Sequence, residues 1–151
     1  MTKRHTNIDL SQFHHHTDIQ IRFADMDAFN HVNNAVYLTY LEIARTDYWH
    51  KVIDWNWDEM GIIIARSELD YILPITLTDR LKVYVKTTRV GKSSFDIHYI
   101  LISTKGTNTK THALGKTVCV CFDYKANNSC GIPQKYKERM EEDAADFQLF
   151  G

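Results

Sequence analysis

A single helical segment followed only by strand patterns is the feature that most restricts how this chain can fold. From Asn34 onward, apolar residues recur with helical spacing at positions 37, 40, 41, 44 and 48, on one face of a helix of about five turns. A lone amphipathic helix must bury that face, and a strongly curved antiparallel sheet wrapped around it would do so. The sequence therefore predicts an α+β fold with one long central helix.

Alternating or continuous apolar runs predict the strands of that sheet. The predicted strands are 18–23, 62–73, 81–88, 95–102 and 111–122. Residues 1–16 are expected to be a loose leader, and the charged tail from about residue 135 a short helix or a frayed end. Because no linker or repeat divides the 151 residues, a single domain 1–151 is expected. Its exposed sheet edges predict a homodimer or homotetramer.

Composition excludes several classes of protein. With 18 basic and 19 acidic residues and no basic block, the chain is not expected to bind nucleic acid. A polar N-terminus without a signal-peptide core, and no apolar run of about 20 residues, predict no membrane span and a cytoplasmic location. Cys119, Cys121 and Cys130 lack the spacing of a zinc site or a disulfide framework, and His14–His16 is interpreted as an exposed polar stretch. Neither a metal nor a bound cofactor is expected.

The stretch Asp25-x-Asp27-x-x-x-His31-Val32-Asn33-Asn34 carries the chemistry. It places a carboxylate and an imidazole just before a helix N-terminus, where unpaired backbone N–H groups and the positive end of the dipole favour developing negative charge. Attack on a thioester carbonyl creates such an oxyanion, and a nearby carboxylate can either attack the carbonyl or deprotonate a water. The alternative is structural: an aspartate in a loop, with Asn30, Asn33 and Asn34 as helix N-cap candidates.

These residues resemble a known family. Residues 21–27 and 31–37 resemble the signature of hotdog-fold thioesterases of the 4-hydroxybenzoyl-CoA thioesterase type, and the Asn33-Asn34 pair is similar to plant acyl-carrier-protein thioesterases. The resemblance continues through residues 67–74 with Asp79, through residues 89–95, and into the last strand, so it covers roughly residues 18–135. It implies a hotdog fold and an acyl-CoA thioesterase activity.

The resemblance also implies site residues. The family's catalytic carboxylate corresponds to Asp27, and its oxyanion donor to a backbone N–H on or beside Asn34. His31 matches a histidine linked to catalysis in the plant enzymes; here it either orients substrate or water, or braces the loop. Those enzymes have an asparagine two residues after the aspartate, whereas this chain has Phe29, so their mechanism is not transferred directly.

A second segment is a candidate coenzyme A contact. In the family, substrate is often contacted at positions that correspond here to Arg89, Gly91, Lys92, Ser93 and Ser94. Glycine allows close backbone approach, and arginine or lysine can meet phosphates; an ordinary hairpin loop with solvated charges is the alternative. Glu68, in a strand expected to neighbour the helix, is either a supporting acid or a solvent-facing residue. His98 and His112 are interpreted as structural.

Three functions fit these residues. The first is hydrolysis of an acyl thioester, carried by coenzyme A or by an acyl carrier protein. The second is a non-catalytic acyl-thioester binding module, since fold alone does not fix function. The third is a dehydratase, although the histidine signature of that class is not found. Binding a neutral acyl chain needs no carboxylate, so Asp27 favours hydrolysis. Acyl length, and the choice between nucleophile and general base for Asp27, stay open.

Overall fold

A computed structural model describes residues 9–148, and the elements of this part follow the predicted order closely. They are β1 (His15–Ile19), α1 (Val36–Tyr48), β2 (Gly61–Tyr71), β3 (Leu81–Val90), β4 (Ser94–Lys105), β5 (Asn108–Asp123), β6 (Asn128–Ser129) and α2 (Gln134–Ala144). A π-helical turn, Trp49–Ile53, extends α1. No helix within residues 9–148 has the length and apolar character needed to cross a membrane.

The strands form one antiparallel sheet in the order β1-β3-β4-β5-β2, and β6 pairs with the end of β5. Register shifts in β2, β3 and along the β4–β5 pair increase the local bend of the sheet. The predicted apolar face of α1 is buried against it: Tyr37, Tyr40, Leu41, Ala44 and Tyr48 join the core formed by Val83, Val85, Ile97, Tyr99 and Leu101. The predicted α+β hotdog architecture, a curved sheet around a long helix, is confirmed.

The N-terminal predictions are wrong in their boundaries. The expected loose leader 1–16 contains a 3-10 turn at Leu10–Gln12, and β1 begins at His15 instead of residue 18; residues 1–8 lie outside the described part. The reason is that Phe13 is buried with Ile100 and Ile102 on the outer face of the sheet, which brings the following residues into register with β3. His15 is therefore half-buried, with its Nε2 3.2 Å from Asp47, so it does not belong to an exposed polar stretch.

The predicted helix in the tail is present as α2, and it covers an edge of the sheet. β1 stops pairing with β3 at Val85. Beyond that point Asp143 Oδ2 accepts hydrogen bonds from the Thr87 backbone N–H at 3.0 Å and from the Tyr48 hydroxyl at 2.6 Å. The fully buried Lys86 ammonium lies 2.9 Å from an oxygen of Asp146. The C-terminal end of α2 thus replaces β1 along the remainder of β3.

Strand β2 forms the outer edge of the sheet, on the side of β5 away from β4. It is exposed along residues 63–68, including Ile63 and Ile64. The strand of Glu68, predicted to neighbour the helix, meets α1 near its start, where Tyr71 packs against Tyr37, and β1 and β3 also lie against α1. Glu68 is exposed and pairs with Arg66 at 2.7 Å, as expected for a solvent-facing residue. The predicted oligomer, which would cover this edge, stays a prediction.

Candidate active site

Asp27 is the first residue of a short loop that lies between a 3-10 turn (Phe23–Asp25) and α1 and is closed by backbone hydrogen bonds. Its N–H donates to the His31 carbonyl at 2.7 Å, and the Asn30 N–H donates to the Asp27 carbonyl at 3.2 Å. Asn30 has φ of +63°, a left-handed conformation that asparagine adopts more readily than most residues. Asp27 Oδ1 accepts the N–H groups of Phe29 at 2.8 Å and His31 at 3.2 Å. The backbone therefore fixes one carboxylate oxygen, and Oδ2 has no hydrogen-bond partner within residues 9–148.

Asp25, the other aspartate of the motif, has a different environment. Its buried carboxylate accepts hydrogen bonds from the Arg22 backbone and guanidinium at 2.9–3.1 Å and from the Tyr40 hydroxyl at 2.7 Å. Burial acts to raise the pKa of Asp25, but the hydrogen bonds from Arg22 and Tyr40 outweigh it and lower that pKa below its usual value. The Asp25 carbonyl also accepts the Asn33 N–H at 2.9 Å. Asp25 thus ties the loop to α1.

The residues just before α1 differ in how their backbone N–H groups are used. Asn33 accepts the N–H of Ala35 on its side chain and that of Val36 on its carbonyl, both at 2.9 Å. The Asn34 N–H donates no hydrogen bond within the described part of the chain. Of the predicted caps, Asn33 supplies the capping contacts, Asn30 does not, and Ala35 occupies the N-cap position itself.

The three residues predicted to be catalytic, Asp27, His31 and Asn34, line one open pocket of about 280 Å³. The remainder of its wall is formed by Val32, Tyr37, Tyr71, Ile72, Leu73 and Pro74. Sequence reasoning assigned no site role to Tyr71, whose hydroxyl donates to the Asn34 carbonyl at 3.0 Å. The available signal was its position at the end of a strand, just before Pro74, in the second segment of the resemblance.

The predicted substrate-binding residues lie in the β3–β4 hairpin, at the opposite end of the sheet. Ser94 faces Val120 of β5, whereas Tyr71 faces Ala113. Seven residues of extended strand correspond to about 20 Å, so one chain alone does not bring this hairpin to the pocket. The hairpin is Arg89, Val90, Gly91, Lys92, Ser93 and Ser94.

Within the hairpin, Arg89 is already engaged. Its guanidinium donates to Asp96 at 2.8 Å and to the Ser94 hydroxyl at 3.0 Å. A Cβ on Gly91 would lie 3.0 Å from the Ser94 carbonyl oxygen, so this tight turn favours glycine. Lys92 is exposed. Lys92 is therefore the better candidate for a phosphate contact, and Arg89 supports the turn.

The two histidines interpreted as structural, His98 and His112, both have hydrogen-bonding partners within the protein. His112 is buried and within hydrogen-bond distance of Ser103 Oγ, at 2.6 Å, and of the carbonyls before β3. Burial, together with the nearby Lys116, lowers the pKa of His98 to about 4. Within residues 9–148 no three His, Cys, Asp or Glu side chains are grouped to hold a metal ion. All three cysteines are free thiols, as expected.

The curved antiparallel sheet wrapped around one long helix is a hotdog fold, which solved thioesterase structures share. The chain belongs to the thioesterase-like superfamily, whose family model matches residues 21–140. The predicted family resemblance and the predicted enzyme class, a thioester hydrolase, are thereby confirmed.

Individual relatives agree with this assignment. The chain is 32% identical to a thioesterase of Thermus thermophilus solved in complex with coenzyme A and Zn, with a TM-score of 0.77 and coverage of 90% of this chain and 98% of that one. A 4-hydroxybenzoyl CoA thioesterase bound to 4-hydroxybenzoyl CoA, 17% identical, shares the fold with a TM-score of 0.76 over 83% of this chain and 96% of that one.

Two curated relatives match by sequence. The long-chain acyl-CoA thioesterase FadM of Escherichia coli (strain K12) is 26% identical over 130 residues, which cover 83% of this chain and 96% of FadM. The protein YsmA of Bacillus subtilis (strain 168) is 31% identical over 83 residues. That match spans 54% of this chain and about half, 56%, of YsmA.

Proposed function

We propose that this chain hydrolyses acyl-CoA thioesters to a free carboxylic acid and coenzyme A, with Asp27 as the catalytic carboxylate. The observation that carries the proposal is the pairing of two groups in one pocket. One is the Asp27 carboxylate, oriented through Oδ1 by two backbone donors while Oδ2 has no protein partner within residues 9–148. The other is Asn34, whose N–H makes no hydrogen bond in the same part of the chain.

These groups match the needs of thioester hydrolysis. Attack on the carbonyl places negative charge on its oxygen, and a preorganised N–H at a helix N-terminus stabilises that charge. Collapse of the intermediate breaks the C–S bond and releases the thiolate. Asp27 Oδ2 serves either as the attacking atom or as the base that takes a proton from water, and both roles require it beside the carbonyl. His31, in the same pocket, orients substrate or water.

The substrate proposal rests on the relatives and on the pocket wall. Coenzyme A is bound in the Thermus thermophilus thioesterase structure, and FadM is a long-chain acyl-CoA thioesterase. In this chain Tyr71 and Leu73 line the pocket and are both exposed, and Phe29 is exposed on the same loop as Asp27. Apolar surface of this kind favours a hydrophobic acyl group over a short polar one.

Assembly is part of the proposal. The exposed edge of β2 can pair with the same edge of a second copy, which removes its free N–H and C=O groups from solvent. A dimer built in this way, alone or doubled into a tetramer, would allow the β3–β4 hairpin of one subunit to contact substrate held at Asp27 of the other. That arrangement would account for the separation of about 20 Å, within one chain, between the hairpin and the end of the sheet at which the pocket lies.

A substrate screen tests the activity. Purified protein is incubated with short, medium, long and aromatic acyl-CoA esters, and released thiol is measured with a thiol-detecting dye. We expect turnover that increases from short to longer or aromatic acyl groups. Release from an acyl carrier protein thioester alone would move the substrate to that carrier. No release from either would contradict hydrolysis and favour an acyl-thioester binding module.

Asp27→Asn is the matched chemical test. The asparagine Oδ1 can still accept the N–H groups of Phe29 and His31, so the loop is expected to keep its conformation. The basic and nucleophilic oxygen is lost, and kcat should fall by about 10²–10⁴. Asp58→Asn, at an exposed aspartate, is the control and should leave kcat unchanged. If Asp27→Asn retains more than about a tenth of wild-type kcat, Asp27 is not the catalytic carboxylate.

A further inference from the structure

Two of the three cysteines face each other across neighbouring strands. In β5 and β6, Phe122 pairs with Ser129 and Asp123 pairs with Asn128. Extending this register by one residue places Cys121 opposite Cys130. The Cys130 N–H donates to the Cys121 carbonyl at 3.1 Å, which confirms the continued register. The two Sγ atoms are 3.6 Å apart. The thiols are therefore in direct contact.

This geometry is compatible with a disulfide. Directly opposed residues of an antiparallel pair have Cα atoms about 5.5 Å apart, inside the range that a disulfide spans. A disulfide requires the two sulfur atoms to move from 3.6 Å apart to about 2 Å apart. The third cysteine, Cys119, has no thiol partner; its Sγ lies 3.7 Å from the Thr117 hydroxyl.

The two thiols differ in access. Cys121 is fully buried, and burial together with the neighbouring Cys130 thiol raises the pKa of Cys121 to about 12. Cys130 is only partly buried. An oxidant in solution therefore reaches Cys130 first, and Cys121 lies directly behind it as the resolving thiol.

The pair is bonded directly to the β3–β4 hairpin. The Cys121 N–H donates to the Ser93 carbonyl at 2.8 Å, and the Ile132 N–H, two residues after Cys130, donates to the Lys92 carbonyl at 2.9 Å. Two successive carbonyls of the hairpin turn thus accept hydrogen bonds from Cys121 itself and from the residue two positions after Cys130. A covalent link between Cys121 and Cys130 would restrain both donors together.

We propose that Cys121 and Cys130 are a redox modification site, at which a reversible disulfide clamps the segment after β6 onto β5 and so rigidifies the Lys92–Ser93 turn. The oxidant is a low-molecular-weight disulfide. The Cys130 thiolate attacks it and releases one thiol; Cys121, after losing its proton, attacks the mixed disulfide at the Cys130 sulfur and releases the second thiol. Two protein thiols are oxidised while one disulfide is reduced to two thiols.

Thiol counting on the intact folded protein tests the site. The protein is treated with oxidised glutathione, quenched with acid, denatured, and analysed by thiol titration and mass spectrometry. The three thiols of the sequence should fall to one, with the loss of two hydrogen atoms and a peptide linking Cys121 to Cys130. Dithiothreitol should restore all three.

Two variants control the result. Cys130→Ser should keep both remaining thiols, whereas Cys119→Ala, the matched control, should lose both of its thiols on oxidation. Retention of three thiols in the wild type would overturn the proposal. So would a stable glutathione adduct, a bridge to Cys119 or a bridge between two chains.

Hydrogen exchange then tests the clamp. In the oxidised wild type, the Ile132 amide should exchange at least about tenfold more slowly, because the cross-link removes part of the chain entropy that the segment gains on opening. Cys130→Ser should show no such change after the same treatment. Unchanged exchange at Ile132 in the oxidised wild type would overturn the clamp.

The effect on substrate rests on the proposed function, in which the hairpin contacts coenzyme A. Oxidation should then change KM for acyl-CoA at least about twofold in the wild type, and not in Cys130→Ser. If Ile132 exchange slows while KM is unchanged, the redox site stands and the hairpin's substrate role is contradicted. If the disulfide does not form, the redox site fails whatever the activity.

Discussion

The Tyr71 hydroxyl donates a hydrogen bond to the Asn34 carbonyl at 3.0 Å and so ties the edge of the sheet to the start of the central helix. Tyr71 is the last residue of β2, and its ring also packs edge-on against Tyr37 with the ring centroids 4.8 Å apart. The backbone at Asn34 carries the N–H proposed to bind the oxyanion. The position of that donor therefore depends on β2 as well as on the loop before α1.

Tyr71→Phe should reduce kcat by about threefold to tenfold with little change in thermal stability. The ring and its packing stay, and only a hydrogen bond worth about 0.5–1.5 kcal/mol is lost. Because that bond orients the oxyanion donor, its loss should appear in kcat more than in KM. Steady-state kinetics and a thermal melt measure both quantities. Tyr124→Phe, at an exposed tyrosine, is the control. Equal kinetics for the two variants would remove Tyr71 from the site.

His31→Ala should reduce kcat less than Asp27→Asn does. The imidazole lines the pocket, but the bonds that shape the loop come from the His31 backbone, which alanine keeps. The backbone donor at Asn34 also survives, and one such donor is worth about 10²–10³ in rate. We expect kcat to fall by about tenfold, measured under saturating substrate. A loss as complete as that of Asp27→Asn would make His31 an equal catalytic partner, and unchanged kinetics would leave it structural.

Local patterns predicted the parts of the fold whose determinants lie close together in sequence. The spacing of Tyr37, Tyr40 and Tyr48 located α1, and alternation located β3, β4 and β5. The N-terminal strand was misplaced because its position depends on a distant contact, the burial of Phe13 against Ile100 and Ile102. Without that contact, residues 10–16 have no apolar period that would indicate structure.

The candidate site was predictable to the same extent. Asp27, His31 and Asn34 are close in sequence, so one motif brings them into one pocket. Tyr71 joins them only because β2 pairs with β5 at the edge of the sheet, and strand order cannot be read from local alternation. The same strand order separates the Arg89–Ser94 hairpin from the pocket, which the motifs did not indicate.

Asp25→Asn should destabilise the protein by about 2 kcal/mol at pH 7, since it removes a buried charge that accepts hydrogen bonds from Arg22 and Tyr40. The folded-state pKa of Asp25 is lowered from 3.8, so its ionisation stabilises the fold fully above about pH 4. That contribution is lost as pH falls through the lower folded-state pKa.

Urea unfolding of wild type and Asp25→Asn at pH 7, 5 and 3 checks the direction of this pH dependence. The difference in free energy of unfolding between wild type and Asp25→Asn should be constant from pH 7 to 5 and smaller at pH 3. Asp58→Asn, at an exposed aspartate, should differ little from wild type at any of these values. A difference that grows at pH 3 would mean that Asp25 is not stabilised in its charged form in the folded state.

The proposed composite site predicts complementation between two impaired variants. One variant carries Asp27→Asn, and the other carries Lys92→Glu, which reverses the exposed charge of the hairpin and leaves the Arg89–Asp96 pair intact. If Asp27 of one subunit works with the hairpin of the other, a mixed dimer holds one site with both defects and one intact site. Each variant alone should be impaired in acyl-CoA hydrolysis.

Refolding equal amounts of the two variants together should restore about a quarter of wild-type activity, because half of the dimers are mixed and half of their sites are intact. Lys125→Glu, at an exposed lysine outside the hairpin, is the charge control for Lys92→Glu. This control variant should itself be active. Light scattering gives the subunit number, and tags of different mass verify mixing. A monomer would reject the composite site. Verified mixing without recovery would show that Asp27 and the hairpin do not serve the same site from different subunits.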